Sequence, residues 1–483
     1  MTVATKTDYE VVVGIEIHVQ LKTASKMFCS CSSDVHGKAP NTNTCPVCLG
    51  LPGALPVINR KAVEHVLATG IAIGSTIPDV TRWDRKNYFY PDLPKGYQIS
   101  QYDLPLCSGG TLPVETSEGP VTVTLRRAHL EEDTARLLHQ DAPGGGRLSL
   151  VDYNRSGIPL MEIVTEPCIG SAEVARRYAE ELRLLLLTIG ASDAAMEEGQ
   201  MRVEANVSLR PRGTETLGTR VEVKNMNSFR SVERAISFEI ERQTRALEGG
   251  EKLIQETRGW DDTRGVTYNM RLKEESEDYR YFPEPDLPPL RTDAAMIAAI
   301  REHMPELPAA RRTRYRTDYG LSTYDASVIV SSAGDYFAHV MATDPPPDPK
   351  IAAGLLSKIG LREQKTDPDL LLHRPGAELA EVVRLRTTGA ISSQSAEDVY
   401  LEHLRTGESV TSIVATKGLS QISDTSALGE VIDKVIAANP AAVADIRAGK
   451  EQALKFLTGA VMKETRGQAN ATVVAQLLWE RLK

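Results

Sequence analysis

Four of the six cysteines, Cys29, Cys31, Cys45 and Cys48, fall within twenty residues of one another. Cys29-x-Cys31 and Cys45-Pro46-Val47-Cys48 offer two short knuckles of soft thiolate donors, a set suited to tetrahedral Zn²⁺. The two-residue spacing is common in such knuckles and the one-residue spacing is rarer, so a zinc-free loop of ordinary buried thiols stays open as the alternative. If zinc is held, four protein thiolates leave it no free coordination position and its role is structural. Cys107 and Cys168 have no cysteine neighbours, and core packing is the role expected of them.

A second group of residues suits harder ligands. Glu16 and His18, at i and i+2, project from one face of a strand and can converge on one cation or one phosphate. Carboxylates recur in similar settings at His129-Leu130-Glu131-Glu132-Asp133, Leu160-Met161-Glu162-Ile163-Val164, Arg202-Val203-Glu204 and Arg220-Val221-Glu222-Val223-Lys224. Glu162 lies inside an apolar run, where an unpaired carboxylate is costly, so it needs a metal, an arginine or a backbone donor. Equally open on pattern alone is a solvated sheet face on which these acids pair with Arg126, Arg202, Arg210 and Arg220. The segment Arg82-Trp83-Asp84-Arg85-Lys86-Asn87-Tyr88-Phe89-Tyr90-Pro91-Asp92 mixes cations with aromatics. Such a mixture can hold phosphate and stack a base or a sugar, or it can be a buried aromatic loop capped by surface charge. Several familiar devices are missing: there is no G-x-x-x-x-G-K-[ST] loop, no G-x-S-x-G elbow and no H-E-x-x-H helix.

These side chains need strands to aim them. From Val11 to Leu21 the odd positions are apolar and the even positions end in Glu16, His18, Gln20 and Lys22, which is strand alternation. The same alternation returns at 202–210 and briefly at 220–224. Helical periodicity covers 171–189, opening on Ser171 and stopping at Gly190, and 231–247, opening on Ser231 and stopping at Gly249-Gly250. Gly144-Gly145-Gly146-Arg147 reads as a hairpin turn, because no helix follows it. Strands with segregated helices predict an α+β domain.

The run Phe282-Pro283-Glu284-Pro285-Asp286-Leu287-Pro288-Pro289 is too rich in proline for regular structure, and only helical patterns follow it. A boundary is therefore expected near 292, and another near 408, where glycine-punctuated amphipathic segments such as 425–438 and 451–464 begin. Asp344-Pro345-Pro346-Pro347-Asp348-Pro349 reads as a rigid turn between helices. The expected domains are 1–292, 293–408 and 409–483, in keeping with a chain of 483 residues. Hydrophobic residues at 41% and charged residues at 25% are ordinary globular values, which excludes a disulfide-stapled miniprotein. The N-terminus has no basic-then-apolar signal pattern and no stretch of about 18 apolar residues occurs, so a soluble, cytoplasmic chain without membrane association is expected. A net charge of −9 argues against general polyanion binding. Residues 449–483 differ: Lys450, Lys455, Lys463, Arg466, Arg481 and Lys483 face only Glu451, Glu464 and Glu480.

Together, GIEIHVQLKT at 14–23, the four cysteines, LPGALPVIN at 51–59, DRKNYFYPDLPKGYQISQYD at 84–103, HLEEDTAR at 129–136, VDYNRSGIPLMEIV at 151–164, VEVKNMNSFR at 221–230, DYRYFPEPDLPPL at 278–290 and GKEQALKFLTGAVMKETRGQANA at 449–471 closely resemble the B-subunit family of the bacterial aspartyl/glutamyl-tRNA amidotransferases. The resemblance covers essentially the whole chain. It implies a cradle domain with a mainly antiparallel sheet related to the glutamine synthetase catalytic fold, then an all-helical domain and a helical tRNA-binding tail. It also implies the reaction: ATP phosphorylates the side-chain carboxylate of Glu-tRNA(Gln) or Asp-tRNA(Asn), and ammonia then amidates it. The implied partners are an amidase A subunit that releases ammonia from glutamine, a small C subunit, the misacylated tRNA, and the non-discriminating synthetase that charges it. In this family Mg²⁺ is held by acids and a histidine, matching Glu16, His18, Glu132, Glu162 and Glu222. His18, Glu132 and Glu222 are the first choices as ligands, with Glu16 and Glu162 completing a second ion or the water shell. Arg85, Lys86, Arg202 and Lys224 are the phosphate-facing cations expected around ATP.

Overall fold

A computed structural model describes residues 8–272, 279–419, 425–447, 452–465 and 469–482. The chain divides into two compact units, Met1–Leu307 and Pro308–Lys483.

The first unit is organised by strand alternation. In β1 (Tyr9–Gln20) Val13, Ile15, Ile17 and Val19 are buried, while Glu16, His18 and Gln20 take the other face. The further strands that matter for the site are β2 (Asp84–Asn87), β3 (Tyr97–Ser100), β4 (Gly119–Glu132), β5 (Arg136–Asp141), β6 (Arg147–Asp152), β7 (Pro159–Thr165), β8 (Met201–Pro211), β9 (Val221–Met226), β10 (Glu256–Asp261) and β11 (Val266–Leu272). The main sheet runs β11-β10-β9-β8-β1-β7-β4, and the short strands Cys107–Ser108 and Thr111–Thr116 both pair with β4. All its pairings are antiparallel except β9 with β10. The expected α+β class with a mainly antiparallel sheet is thus what the chain adopts. β5 and β6 form a separate hairpin, turning at Gly144, Gly145 and Gly146, whose φ values of 110°, 95° and 94° are left-handed conformations that glycine adopts without strain.

Helices α1 (Arg60–Ala72), α2 (Ala172–Thr188) and α3 (Phe229–Glu248) bury one face of this assembly, through Val66 and Leu67 of α1, Tyr178 and Leu182 of α2, and Val232 and Ile236 of α3. The Ser171 hydroxyl caps α2 by accepting from Val174 N. The second long helix starts three residues before the expected Ser231: Ser228 is the cap and accepts from Ser231 N, while Ser231 sits in the first turn and donates its hydroxyl to Asp262.

The strands end at Leu290–Arg291, close to the expected 292, but the first unit continues to Leu307. Helix α4 (Ala294–Glu302) packs on α1, and Met296, Ile300 and Leu307 add to the sheet domain's core, which places these residues with the first unit.

The second unit is helical throughout its described residues, and Asp344–Pro349 forms the turn between the helices Thr323–Met341 and Pro349–Leu355. Around the expected boundary at 408 one helix ends and another begins. Gly407, at φ 77°, ends the helix Ser393–Thr406, yet the next helix, Val410–Lys417, packs back on that helix and on Gly376–Thr387. The last four described helices, from Thr425 to Leu482, have an apolar cluster of their own built on Leu428, Ile432, Leu457, Val461 and Leu478. Lys455, Lys463 and Arg481 of the basic tail are exposed, whereas Lys450, Glu451, Arg466 and Lys483 lie outside the described residues.

Candidate functional site

The sheet face opposite α2 and α3 carries the charged residues. Register lines up His129 of β4, Glu162 of β7, His18 of β1 and Arg202 of β8 across four adjacent strands. One step along, Glu16 of β1 is the cross-strand partner of Glu204 of β8. These side chains line a cavity of about 370 Å³, together with Glu131, Asp133, Glu222 and Lys224. Lys86 and Tyr88 from the β2 segment enter the same cavity, as do Tyr279 and Tyr281.

Two triads could each hold a cation: Glu16, His18 and Glu162, and His129, Glu131 and Glu162. The His18 Nε2 lies 3.4 Å from Glu162, 3.6 Å from Glu131 and 3.6 Å from Glu16. The His129 Nε2 lies 3.6 Å from Glu162 and 3.8 Å from Glu131, and its buried Nδ1 has no hydrogen-bond partner among the described residues. Glu162 therefore has the partners that its apolar run demanded, two imidazoles plus the Arg127 guanidinium at 3.6 Å.

This crowding sets the protonation of the cluster. Burial alone would pull His18 down, but its hydrogen bond to Glu162 and the charges of Glu162, Glu131 and Glu16 outweigh that and push it up to about 9. Burial, reinforced by the charges of Glu162 and Glu204, raises Glu16 to about 7 although His18 and Lys86 oppose it. Glu162 is held well below the usual carboxylate range despite its burial, by His129, His18 and Lys86. Glu16 titrates near neutrality chiefly because it is buried, so a cation bound beside it would displace its proton. The carboxylate oxygens suit Mg²⁺, while the two imidazole nitrogens are donors more usual for transition metals.

Along the same face the cations are braced by acids. Lys224 pairs with Glu204 at 2.8 Å and lies 3.6 Å from Glu222, which also accepts from the Thr257 hydroxyl at 2.7 Å. Arg202 donates to Asp133 at 2.9 Å, and Asp133 is fully engaged by Arg155, Gln20 and the Thr134 amide as well. Lys86 has the Tyr279 ring 5.1 Å from its ammonium, and the charges of Glu131 and Glu162 favour its protonated form against the cost of burial.

Of the residues singled out from sequence, Glu16, His18, Glu162, Glu222, Lys86, Arg202 and Lys224 come together here. Glu132 does not. On β4, His129 and Glu131 face the cavity, so Glu132 points the other way, pairs with Lys95 at 2.7 Å and accepts from Ile99 N. Arg85 is also turned away. It forms a bidentate pair with Glu284 at 2.7 and 2.8 Å and stacks on Tyr97, while its neighbour Lys86 takes the cavity face. Sequence reasoning singled out the run His129-Leu130-Glu131-Glu132-Asp133 but chose Glu132 from it, whereas His129, Glu131 and Asp133 are the ones that line the cavity. Parity with His129 was the available signal for Glu131. Of the arginines in the ion-pair alternative, Arg126 and Arg210 pair with Glu166 and Glu10, whereas Arg202 does pair with a cavity acid, Asp133.

The ligand atoms of Cys29, Cys31, Cys45 and Cys48 lie within 4.8 Å of one another, as the two knuckles predicted of a metal-binding set. A hydrogen bond from Cys29, the Cys45 amide and the buried Lys26 ammonium at 3.6 Å push the Cys48 thiol down to about 4, against its burial. Cys107 is buried as expected, but Cys168 is exposed, because it follows Pro167 just past the end of β7.

Residues 11–298 match the family of the GatB/GatE catalytic domain, and residues 335–482 match the GatB domain. The chain is 52% identical to a protein of Moorella thermoacetica named as the B subunit of an aspartyl/glutamyl-tRNA(Asn/Gln) amidotransferase, over 98% of this chain and all of that one. Proteins of the same name from Carboxydothermus hydrogenoformans and Roseiflexus sp. are 46% and 47% identical, over 98% of this chain and 99% and 98% of theirs. No helix among the described residues is long and apolar enough to cross a membrane.

Proposed function

The chain belongs to the B-subunit family of the aspartyl/glutamyl-tRNA(Asn/Gln) amidotransferases, and on that premise we propose that the cavity around His18 and Glu162 is where the side-chain carboxyl of a misacylated tRNA is activated by ATP and amidated. A carboxylate resists ammonia because its leaving group would be oxide. Phosphoryl transfer from ATP makes an acyl phosphate, ammonia attacks its carbonyl carbon, and inorganic phosphate departs as the C–N bond forms. Two anions, the triphosphate and the carboxylate, must therefore be brought together and held.

The single observation carrying this reading is the convergence of two histidine–carboxylate triads with Lys86, Arg202 and Lys224 in one cavity. Arg202, braced by Asp133, and Lys224, braced by Glu204, present fixed positive charge to the triphosphate. Lys86, screened by tyrosines, attracts the substrate carboxylate. Glu16, His18, Glu131, Glu162 and His129 would hold Mg²⁺, which when bound neutralises phosphate charge and withdraws electrons from the transferring phosphoryl group. Glu222, braced by Lys224 and Thr257, belongs to the nucleotide end of the cavity rather than to either triad.

Glutamine hydrolysis belongs to a partner. The amidase A subunit supplies ammonia and a small C subunit completes the trimer, with Glu-tRNA(Gln) or Asp-tRNA(Asn) bound through the helical tail and the charging synthetase as a neighbour. The reaction places the enzyme in the cytoplasm, where tRNA is charged. Cys29, Cys31, Cys45 and Cys48 hold a structural Zn²⁺ that fixes an otherwise irregular loop. In the domain plan that goes with this reading, the catalytic cradle is followed by a helical domain and a separate tail domain.

The test is a pair of neighbours. In the reconstituted enzyme given ammonium and ATP, Glu131→Gln loses amidation by about a hundredfold or more, the scale of removing a positioned charge from a phosphoryl-transfer site, and its Mg²⁺ affinity falls. Glu132→Gln keeps Mg²⁺ affinity unchanged. Full activity in Glu131→Gln would refute the assignment.

A further inference from the structure

Beyond Lys224 the functional face continues onto the edge of the sheet, and it changes character there. Lys224 of β9, Gly259 of β10 and Tyr268 of β11 are cross-strand partners in one row. All three take the face of the cavity. Thr257, two residues before Gly259, donates to Glu222 on that face, whereas Arg258 and Trp260 turn towards α3, where they meet Glu239 and Phe238. Thr267 also reaches Glu239, which leaves Tyr268 on the cavity side.

The Tyr268 ring lies directly on Gly259. A Cβ at 259 would stand 2.5 Å from the Tyr268 Cζ, so the glycine is what lets the ring lie down on the strand. Tyr268 remains 40% exposed, and Met270 beside it is 48% exposed, an apolar surface that no described residue covers. Asn225, at φ 64°, breaks the alternation of β9 and brings its side-chain amide to the Tyr268 hydroxyl at 3.3 Å and the Met270 sulfur at 4.0 Å.

We propose that Tyr268, seated on Gly259 and flanked by Met270 and Asn225, is the shelf on which the adenine base of ATP stacks. This deepens the nucleotide site proposed above and rests on it. Because the ring lies over Gly259 on β10, a strand spacing of about 4.8 Å puts it about 5 Å from the Lys224 strand and about 14 Å from the Glu16 and His18 strand. A nucleotide stacked there runs its ribose and phosphates past Lys224 and Arg202, and its γ-phosphoryl group towards the triads. An exposed aromatic face accepts any purine, and an asparagine amide can pair with the N6 and N7 edge of adenine, which guanine does not match.

The experiment compares ATP with inorganic tripolyphosphate, binding each to the full-length chain in Mg²⁺ buffer by calorimetry, for the wild type, Tyr268→Ala and Tyr268→Phe. The expected result is that Tyr268→Ala weakens ATP roughly tenfold to a hundredfold, the loss of one base–aromatic stack. Tripolyphosphate affinity stays the same, and Tyr268→Phe binds ATP within about threefold of wild type. Unchanged ATP affinity in Tyr268→Ala overturns the shelf, and so does an equal loss for both ligands, since the ring would then only be holding the sheet edge together. If Lys224→Ala leaves tripolyphosphate binding intact, it is the phosphate assignment of the preceding section that fails, whatever Tyr268 does.

Discussion

Replacing Glu162 by glutamine in the metal-free protein should shift the titration of His18 across neutrality. The His18 Nε2 is 3.4 Å from the Glu162 carboxylate, and its side chain is only 15% exposed. Burial disfavours the imidazolium, so the rise from 6.5 to about 9 depends on Glu162, with Glu131 and Glu16 helping. That rise corresponds to roughly 3 kcal/mol favouring the protonated form in the folded state. Because the folded value lies above the unfolded one, this stabilisation is fully present below pH 6.5, declines as pH rises towards 9, and is absent above it. Glutamine removes both the charge and the charge-assisted hydrogen bond while burial remains. The pKa of His18 should then fall to the ordinary histidine range or below it, and the decline of stability between pH 6.5 and 9 should flatten. The assay is a pH titration of ¹⁵N-histidine-labelled, chelator-treated protein, with the His18 resonance assigned by its loss in His18→Gln, alongside denaturation midpoints across the same range. A wild-type His18 titrating near 6.5, or a value still near 9 in Glu162→Gln, would falsify the electrostatic account of the cluster.

Three further outcomes follow from the same geometry. Arg85→Met should lower stability by about 3 kcal/mol, because the Glu284 side chain it pairs with is fully buried and would keep only the Asp286 amide as a donor, and KM for ATP should not change; a raised KM with an unchanged melting temperature would return Arg85 to the nucleotide site. Protein purified without chelators should carry about one zinc per chain, and its removal or Cys45→Ser should lower the melting temperature, so metal content near zero in a stable protein would refute the thiolate site. Ending the chain after residue 419, which spares the helix Val410–Lys417, should weaken tRNA binding by more than about tenfold while ATP binding persists; unaltered tRNA affinity would remove the tail from recognition.

Much of this could be read from local pattern. Alternation along 11–21 identified β1 and the shared face of Glu16 and His18, because a strand's side chains repeat every two residues whatever surrounds it. The cysteine knuckles, the glycine hairpin turn and the Ser171 cap are equally local, since each depends on residues a few positions apart. The family was legible too, through ordered motifs along the chain, and with it the class of reaction.

What sequence could not settle was which of two neighbours faces the site. Glu131 and Glu132 are chemically identical, and the choice between them is made by the register of β4 against β7, where Glu162 pairs with His129 and fixes the parity of the strand. Arg85 and Lys86 were divided in the same way, and the partner that takes Arg85 out of the site, Glu284, is 199 residues away. Helix ends behaved likewise: Gly407 stops a helix by a local signal, while the packing of Val410–Lys417 back on its predecessors comes from long-range contacts. The tyrosine shelf belongs wholly to the tertiary structure, because Lys224, Gly259 and Tyr268 become neighbours only through strand pairing. Sequence determines residue chemistry and its short-range period, whereas long-range pairing chooses the face on which each residue emerges and the groups it meets there.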